Sequence, residues 1–445
     1  MATTRMNGDS SSWKETLEVG IIGLGDMGKM YARRISAAGW KVNACDLPQK
    51  YEALKQEFSD TNINILQNGH LVSRRSDYIM YSVEAEYIDR VVAMYGPSTK
   101  LGAIVGGQTS CKAPEIAALE EHLPPDTQIV SCHSLHGPSV SPRGQPLVLI
   151  SHRCTPEATS LVRSILSCFD SKIVELSAKE HDRITADTQA VTHAAFLSMG
   201  VAWAANNQFP WEVTRYNGGI ENVKINLTLR IYSNKWHVYA GLAILNPSAR
   251  KQIKQYASSV TELYKLIIER RAEEFTNRIH EAARFVFGSP HSINPLTSDE
   301  LLLRDEVLDR FSLGSVPKDE RTPNSHLSLL AIVDCWWKLR IVPYDHMICS
   351  TPLFRMWLGV TEYLFKQPQL LDECIRIALT DDTFRSDDLE FTFAARGWAE
   401  CVGFGDFGSY RKRFEATQGF FEGRFEEATK IGNEMIATIL AHTKD

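Results

Sequence analysis

The sequence predicts an α/β Rossmann-type domain at its N-terminal end, followed by all-α helical domains. Three observations carry that prediction. Short β-branched apolar runs alternate with helical patterns from Leu17 to Leu176, as in a parallel sheet built from βαβ units. A Gly-x-Gly-x-x-Gly run lies between the first strand and the first helix. After Ser177 the strand signals stop and long amphipathic patterns take over.

In order along the chain, residues 1–16 read as a polar, Ser/Thr-rich disordered tail with no apolar stretch behind a basic start, so no signal peptide is expected. Strands are then expected over Glu18 to Gly23, Lys41 to Cys45, Tyr78 to Val83, Ala103 to Gly106, Gln128 to Cys132, Pro146 to Ile150 and Lys172 to Leu176. They define a domain over 17–177. The patterns of Ile184 to Asn207 and Ala249 to Ala283 give a helical domain over 178–287 for substrate binding or dimerisation. A Ser-, Pro-, Asn- and Asp-rich stretch, 288–324, reads as a linker, and a Trp-rich helical extension fills 325–445. The two helical blocks share a pattern: Asp187 to Met199 and Leu227 to Tyr232 are similar to Asn324 to Trp336 and Pro352 to Trp357. A duplication would let the last block imitate a partner subunit, so the protein is expected to be a homodimer or a pseudo-dimeric monomer.

A chain of 445 residues with 44% hydrophobic and 23% charged content is long enough for real cores and too apolar for a disordered protein. The net charge of -6 gives no bulk attraction to nucleic acid or anionic membrane, so neither is expected as a partner. No run approaches the roughly 18 apolar residues of a membrane span. The nine cysteines include no Cys-x-x-Cys pair, which points to reduced thiols, no metal site and a cytoplasmic protein.

The loop Gly23-Leu24-Gly25-Asp26-Met27-Gly28 is read as a dinucleotide cradle: Gly23 for the tight turn, Gly25 for close approach of a pyrophosphate, and Gly28 for helix–strand packing. Asp46 closes the second strand 18 residues after Gly28, where an acid usually holds the ribose hydroxyls and favours NAD. Gln49 and Lys50 follow closely and offer donors to a 2′-phosphate, so these residues leave NAD and NADP both open.

Ligands of such sheets sit beyond the carboxyl ends of the strands. Two polar stretches fall there, Gly106-Gly-Gln-Thr-Ser-Cys-Lys112 and Ser131-Cys-His-Ser-Leu-His-Gly-Pro138. A histidine in that position can accept the proton of a substrate hydroxyl while hydride leaves the same carbon, and a nearby serine can orient its ring. Gln189 and His193, four apart, share a helix face.

These stretches, with Glu180-His-Asp182 and Thr188-Gln-Ala-Val-Thr-His-Ala194, resemble the prephenate dehydrogenase family and, most closely, its fungal, NADP-dependent branch. The resemblance implies NADP as cofactor, prephenate as substrate and oxidative decarboxylation to 4-hydroxyphenylpyruvate in tyrosine biosynthesis. It implies His133 as the catalytic histidine, Ser110 as the serine bonded to it and Arg230 as the clamp on a substrate carboxylate. His181, His193 and Gln189 are expected near the substrate. Two other readings stay open: a β-hydroxyacid dehydrogenase, which would need a helix lysine not found after residue 178, and a non-catalytic NADP-binding regulator.

Overall fold

The computed structural model describes residues 10–138, 140–288, 309–314, 316–317 and 320–442. They divide between Ile184 and Thr185 into two compact units.

The first unit is an eight-stranded sheet ordered β3-β2-β1-β4-β5-β6-β7-β8. Its strands are β1 (Glu18–Ile22), β2 (Lys41–Cys45), β3 (Ile63–Ile65), β4 (Tyr78–Tyr81), β5 (Ile104–Gly107), β6 (Gln128–Ser134), β7 (Pro146–Arg153) and β8 (Lys172–Glu175). Val19, Ile21, Met80, Ile104 and Val105 are almost fully buried, because helices cover both faces of the sheet. The chain runs outward from β1 to β3 and then returns to lay β4 on the other side of β1. That reversal leaves a crevice at the carboxyl ends of β1 and β4, the usual ligand position of such sheets.

Three expectations are corrected here. The strand β3 is only three residues long and too short to show as a periodic run. The sheet is not wholly parallel, since β7 pairs with β6 antiparallel. Residues 1–9 of the expected tail lie outside the described residues, but Ser10–Thr16 is helical; Trp13 packs on the first core and Lys14 Nζ donates to the Ala38 carbonyl at 2.8 Å.

Three helices of this unit matter below: α1 (Asp26–Ala37), α2 (Lys112–His122) and α3 (Ala178–Thr185), the last ending at the boundary. The second unit is helical. It contains α4 (Val191–Ala205), α5 (Gly219–Tyr232), α6 (His237–Leu245), α7 (Pro247–Ile268), α8 (Ala272–Phe287), α9 (Leu327–Leu339), α10 (Pro352–Phe365), α11 (Pro368–Thr380), α12 (Arg385–Phe404), α13 (Phe407–Phe421) and α14 (Phe425–His442). One hydrophobic core runs from Ala186 to Met435, so the helices after 325 are packed into the same unit as those before 288. Most of the expected linker lies outside the described residues. Its described part docks on that unit, with Asn226 Nδ2 donating to the Phe311 carbonyl and Asp309 Oδ1 accepting from the Gly219 amide. All nine cysteines are free. Among the described residues no helix is long and apolar enough to cross a membrane.

Candidate active site

The glycine loop connects β1 to α1 in a conformation that side chains would forbid. Gly23 has φ 104°, and a Cβ there would lie 2.3 Å from the Ser82 carbonyl oxygen. A Cβ on Gly28 would lie 2.1 Å from the Gly23 carbonyl oxygen, so strand and helix touch only because both positions lack one. Above Gly25 a Cβ would meet nothing within 4 Å. Two glycines thus serve packing, and the third leaves open space before the N-terminus of α1, where backbone amides favour a phosphate. Leu24 is buried and Met27 packs on the core, while Asp26 begins the helix.

Asp46 is engaged differently from the expectation. Its Oδ2 accepts the Leu24 amide at 2.9 Å, and its Oδ1 accepts the Leu47 amide at 2.6 Å and Lys50 Nζ at 3.2 Å. The carboxylate is committed to holding the glycine loop, and its presence therefore does not select NAD. Both amides are local backbone donors that compete with a ribose for the same oxygens.

His133 lies near the carboxyl end of β6, two strands beyond the crevice in sheet order, and is 7% exposed. Its Nδ1 lies 2.8 Å from Nε2 of His181 on α3, whose own Nδ1 lies 2.9 Å from Asp182 Oδ1. Asp182 in turn caps α2: its Oδ1 accepts the Lys112 amide and its Oδ2 the Ala113 amide, each at 2.7 Å. Such a chain fixes its protons. A carboxylate only accepts, so His181 donates from Nδ1; its Nε2 then accepts from His133 Nδ1–H, and His133 is left with a basic Nε2. Burial pushes the pKa of His133 well below the ordinary histidine range, with His181 and Lys112 adding to the effect. Burial also lowers that of His181, against the pull of Asp182. Both rings are neutral at neutral pH. For Asp182, burial opposes the charge, but bonds from His181 and the Lys112 amide keep its pKa below the usual value.

Ser110 does not perform its expected role, because no hydrogen bond joins it to His133 among the described residues. The ring nitrogen it was to serve is taken by His181. His181 is itself fully buried behind His133, which makes it a partner of the base and not a surface for substrate. Beneath the pair lies a network that sequence reasoning missed. Lys112 Nζ donates to both oxygens of Glu115 (2.9 and 3.0 Å), to Ser131 Oγ (3.0 Å) and to the Cys132 carbonyl (2.9 Å), all buried. A Cβ on Gly107 would lie 2.3 Å from Glu115 Oε2, so the Gly-Gly pair that ends β5 makes room for this ion pair. The signal was present as a lysine and a glutamate three apart after a Gly-Gly strand end.

In the second unit, Ala186–Ala190 forms a single π-helical turn leading into α4, a feature common at functional sites. Gln189 Nε2 and His193 Nδ1 are buried there without a hydrogen-bond partner. Burial lowers the His193 pKa to about 4, and its ring lies 4.8 Å from that of Tyr239. Arg230, in the last turn of α5, bonds Asn433 Oδ1 and has no carboxylate partner among the described residues. Lys224 is buried on the same helix, but its ammonium is tied to Glu221 Oε1 (2.7 Å) and His326 Nδ1 (3.1 Å). It offers no free helix lysine of the kind a β-hydroxyacid dehydrogenase requires.

A glycine cradle at a switch point, together with a buried neutral histidine backed by a second histidine and a carboxylate, defines a dinucleotide-dependent oxidoreductase. Residues 190–441 match the family described as 6-phosphogluconate dehydrogenase C-terminal domain, and residues 18–105 match NADP oxidoreductase coenzyme F420-dependent. The probable prephenate dehydrogenase [NADP(+)] of Schizosaccharomyces pombe is 62% identical over 96% of this chain and 98% of its own length. The prephenate dehydrogenase [NADP(+)] of Saccharomyces cerevisiae is 55% identical over 97% and 96%. A crystal structure of prephenate dehydrogenase from A. aeolicus, 19% identical, covers 60% of this chain and 96% of that one with a TM-score of 0.46. The chain belongs to the prephenate dehydrogenase family.

Proposed function

We infer that this chain is an NADP-dependent prephenate dehydrogenase, converting prephenate to 4-hydroxyphenylpyruvate and carbon dioxide in tyrosine biosynthesis. The observation that carries this reading is likeness over nearly the full chain to two fungal enzymes of that name. The site residues fit NADP: Gly25 leaves room for the pyrophosphate, the amides at the start of α1 face that room, and Lys50 lies beside Asp46 with its side chain half exposed.

When bound, NADP supplies the hydride acceptor. The protein's own part is to hold the substrate and move one proton. His133 Nε2 accepts the hydroxyl proton as hydride leaves the same ring carbon; His181 and Asp182 hold the tautomer that makes this possible and stabilise the imidazolium that results. Loss of the ring carboxylate as carbon dioxide then aromatises the ring. Arg230 binds a substrate carboxylate, since a guanidinium with no internal carboxylate partner stays charged and can donate to two oxygens at once. Gln189 and His193 offer the two unpartnered nitrogens to the substrate's remaining oxygens.

The test is the appearance of reduced nicotinamide absorbance when purified protein meets prephenate, with NADP and with NAD in separate runs. Reduction with NADP is expected. No reduction with either would overturn the reading.

A further inference from the structure

We propose that residues 185–442 are two copies of one five-helix repeat related by a pseudo-two-fold axis, the second copy standing where a partner subunit would stand. The helices α4 to α8 correspond in order to α9 to α13. Helices α5 and α10 are both 14 residues long, and their first residues, Gly219 and Pro352, lie 133 apart. The left-handed residues just past α4 and α9, Asn207 and Arg340, keep that spacing. Past α7 and α12 the left-handed residues are Arg270 and Gly405, 135 apart. At 135 the buried positions coincide: Tyr256 with Phe391, Leu263 with Trp398 and Ile267 with Val402, then Phe275 with Tyr410 and Ile279 with Phe414.

Packing repeats the same exchange. Helix α4 lies on α12 of the other copy, and α9 lies on α7; α13 touches α4, and α8 touches α9. The pairs α7–α12 and α5–α10 pack on each other, as elements beside a two-fold axis must. An appended helical extension would not reproduce contacts in both directions. One copy alone would leave the α7 face, with Tyr256, Val260 and Leu263, uncovered.

The duplication has a consequence for the site, and this part rests on the function proposed above. The small cavity at His193 is walled by Tyr239 and Ile253 of the first copy and by Trp398, Val402 and Tyr410 of the second. The second copy thus contributes side chains that a separate subunit would otherwise supply. The reciprocal centre is silent. His326 is the counterpart of His193 at the 133 spacing, but it is engaged by Glu221 (2.9 Å) and Lys224 (3.1 Å). The counterpart of Arg230 is Tyr363, and that of Ile253 is Asp388, which accepts from Ser325 Oγ at 3.0 Å. One reactive centre remains for two repeats.

Light scattering of the purified full chain, diluted to assay concentration, should give the one-chain mass of 50.1 kDa. Calorimetric titration of 4-hydroxyphenylpyruvate into the protein with NADP present should give one site per chain. A two-chain mass that persists on dilution, or two sites per chain, overturns the proposal. Trp398→Leu installs the residue found in the first copy, and it should raise KM for prephenate by about tenfold with smaller loss of kcat and unchanged NADP affinity. An unchanged KM removes Trp398 from the site. The mass measurement needs no substrate, so failure of the chain to turn over prephenate would overturn the function and leave the duplication to be judged separately.

Discussion

Nδ1 of His133 and Nε2 of His181 lie 2.8 Å apart, from a strand and a helix 48 residues apart in the chain, and this bond decides which nitrogen of His133 stays basic. Substitution of His133 by asparagine removes that base while leaving a side chain that can still bond His181. The rate kcat should fall by about 10²- to 10⁴-fold. NADP affinity, read by fluorescence titration, should stay near wild type, because the ring does not belong to the glycine loop. A retained rate would remove His133 from the chemistry.

The relay itself is tested by Asp182→Asn. An amide at that position can donate to His181 and so reverse the tautomer of both rings, while one cap of α2 is weakened. We expect a fall in kcat of at least tenfold and a loss of about 1 kcal/mol in urea unfolding. A rate equal to wild type, with the stability loss present, would reduce Asp182 to a cap.

Acid sensitivity follows from the buried histidines. The pKa values of His133, His181 and His193 lie below the unfolded value of about 6.5. The unfolded chain therefore binds more protons as pH falls past that value. The stability these neutral rings contribute is complete above it and is lost as pH falls through their folded pKa values. Calorimetric scans should show Tm falling between pH 7 and pH 5, and the acid limb of kcat/KM should lie below pH 6.5. A Tm that rises over that interval would contradict the neutral assignment.

For Arg230→Gln the expected change is in binding. Loss of a bidentate carboxylate contact costs about 2 kcal/mol or more, so KM for prephenate should rise roughly 30-fold. Steady-state kinetics at saturating NADP will measure it. An unchanged KM assigns the carboxylate to another cation.

Lys50 distinguishes the two dinucleotides. With the Asp46 carboxylate occupied by backbone amides, the adjacent ammonium is the group placed to meet a 2′-phosphate. Lys50→Ala should weaken NADP binding by about tenfold and leave NAD binding nearly unchanged, measured by fluorescence quenching. Equal losses for both cofactors would place the lysine in loop support alone.

The parts of this molecule that were readable along the chain are those whose cause lies within a few residues. Alternating apolar runs, the glycines that permit φ 104° at Gly23 and the approach of strand to helix at Gly28, and the end of strand signals after Ser177 all reflect local conformation and periodicity. His133 was found because polar residues at strand ends face the ligand side of such a sheet. What escaped depends on groups that meet only after folding. His181 displaced Ser110 as the partner of His133 because α3 returns beneath β6, and Lys112 found Glu115 and Ser131 inside the sheet edge. Asp46 turned from a ribose ligand into a loop clamp because two backbone amides reached it first. The direction of β7 and the union of two helical blocks in one core were settled by which apolar faces had no other cover, a property of assembled surfaces that no window of sequence contains.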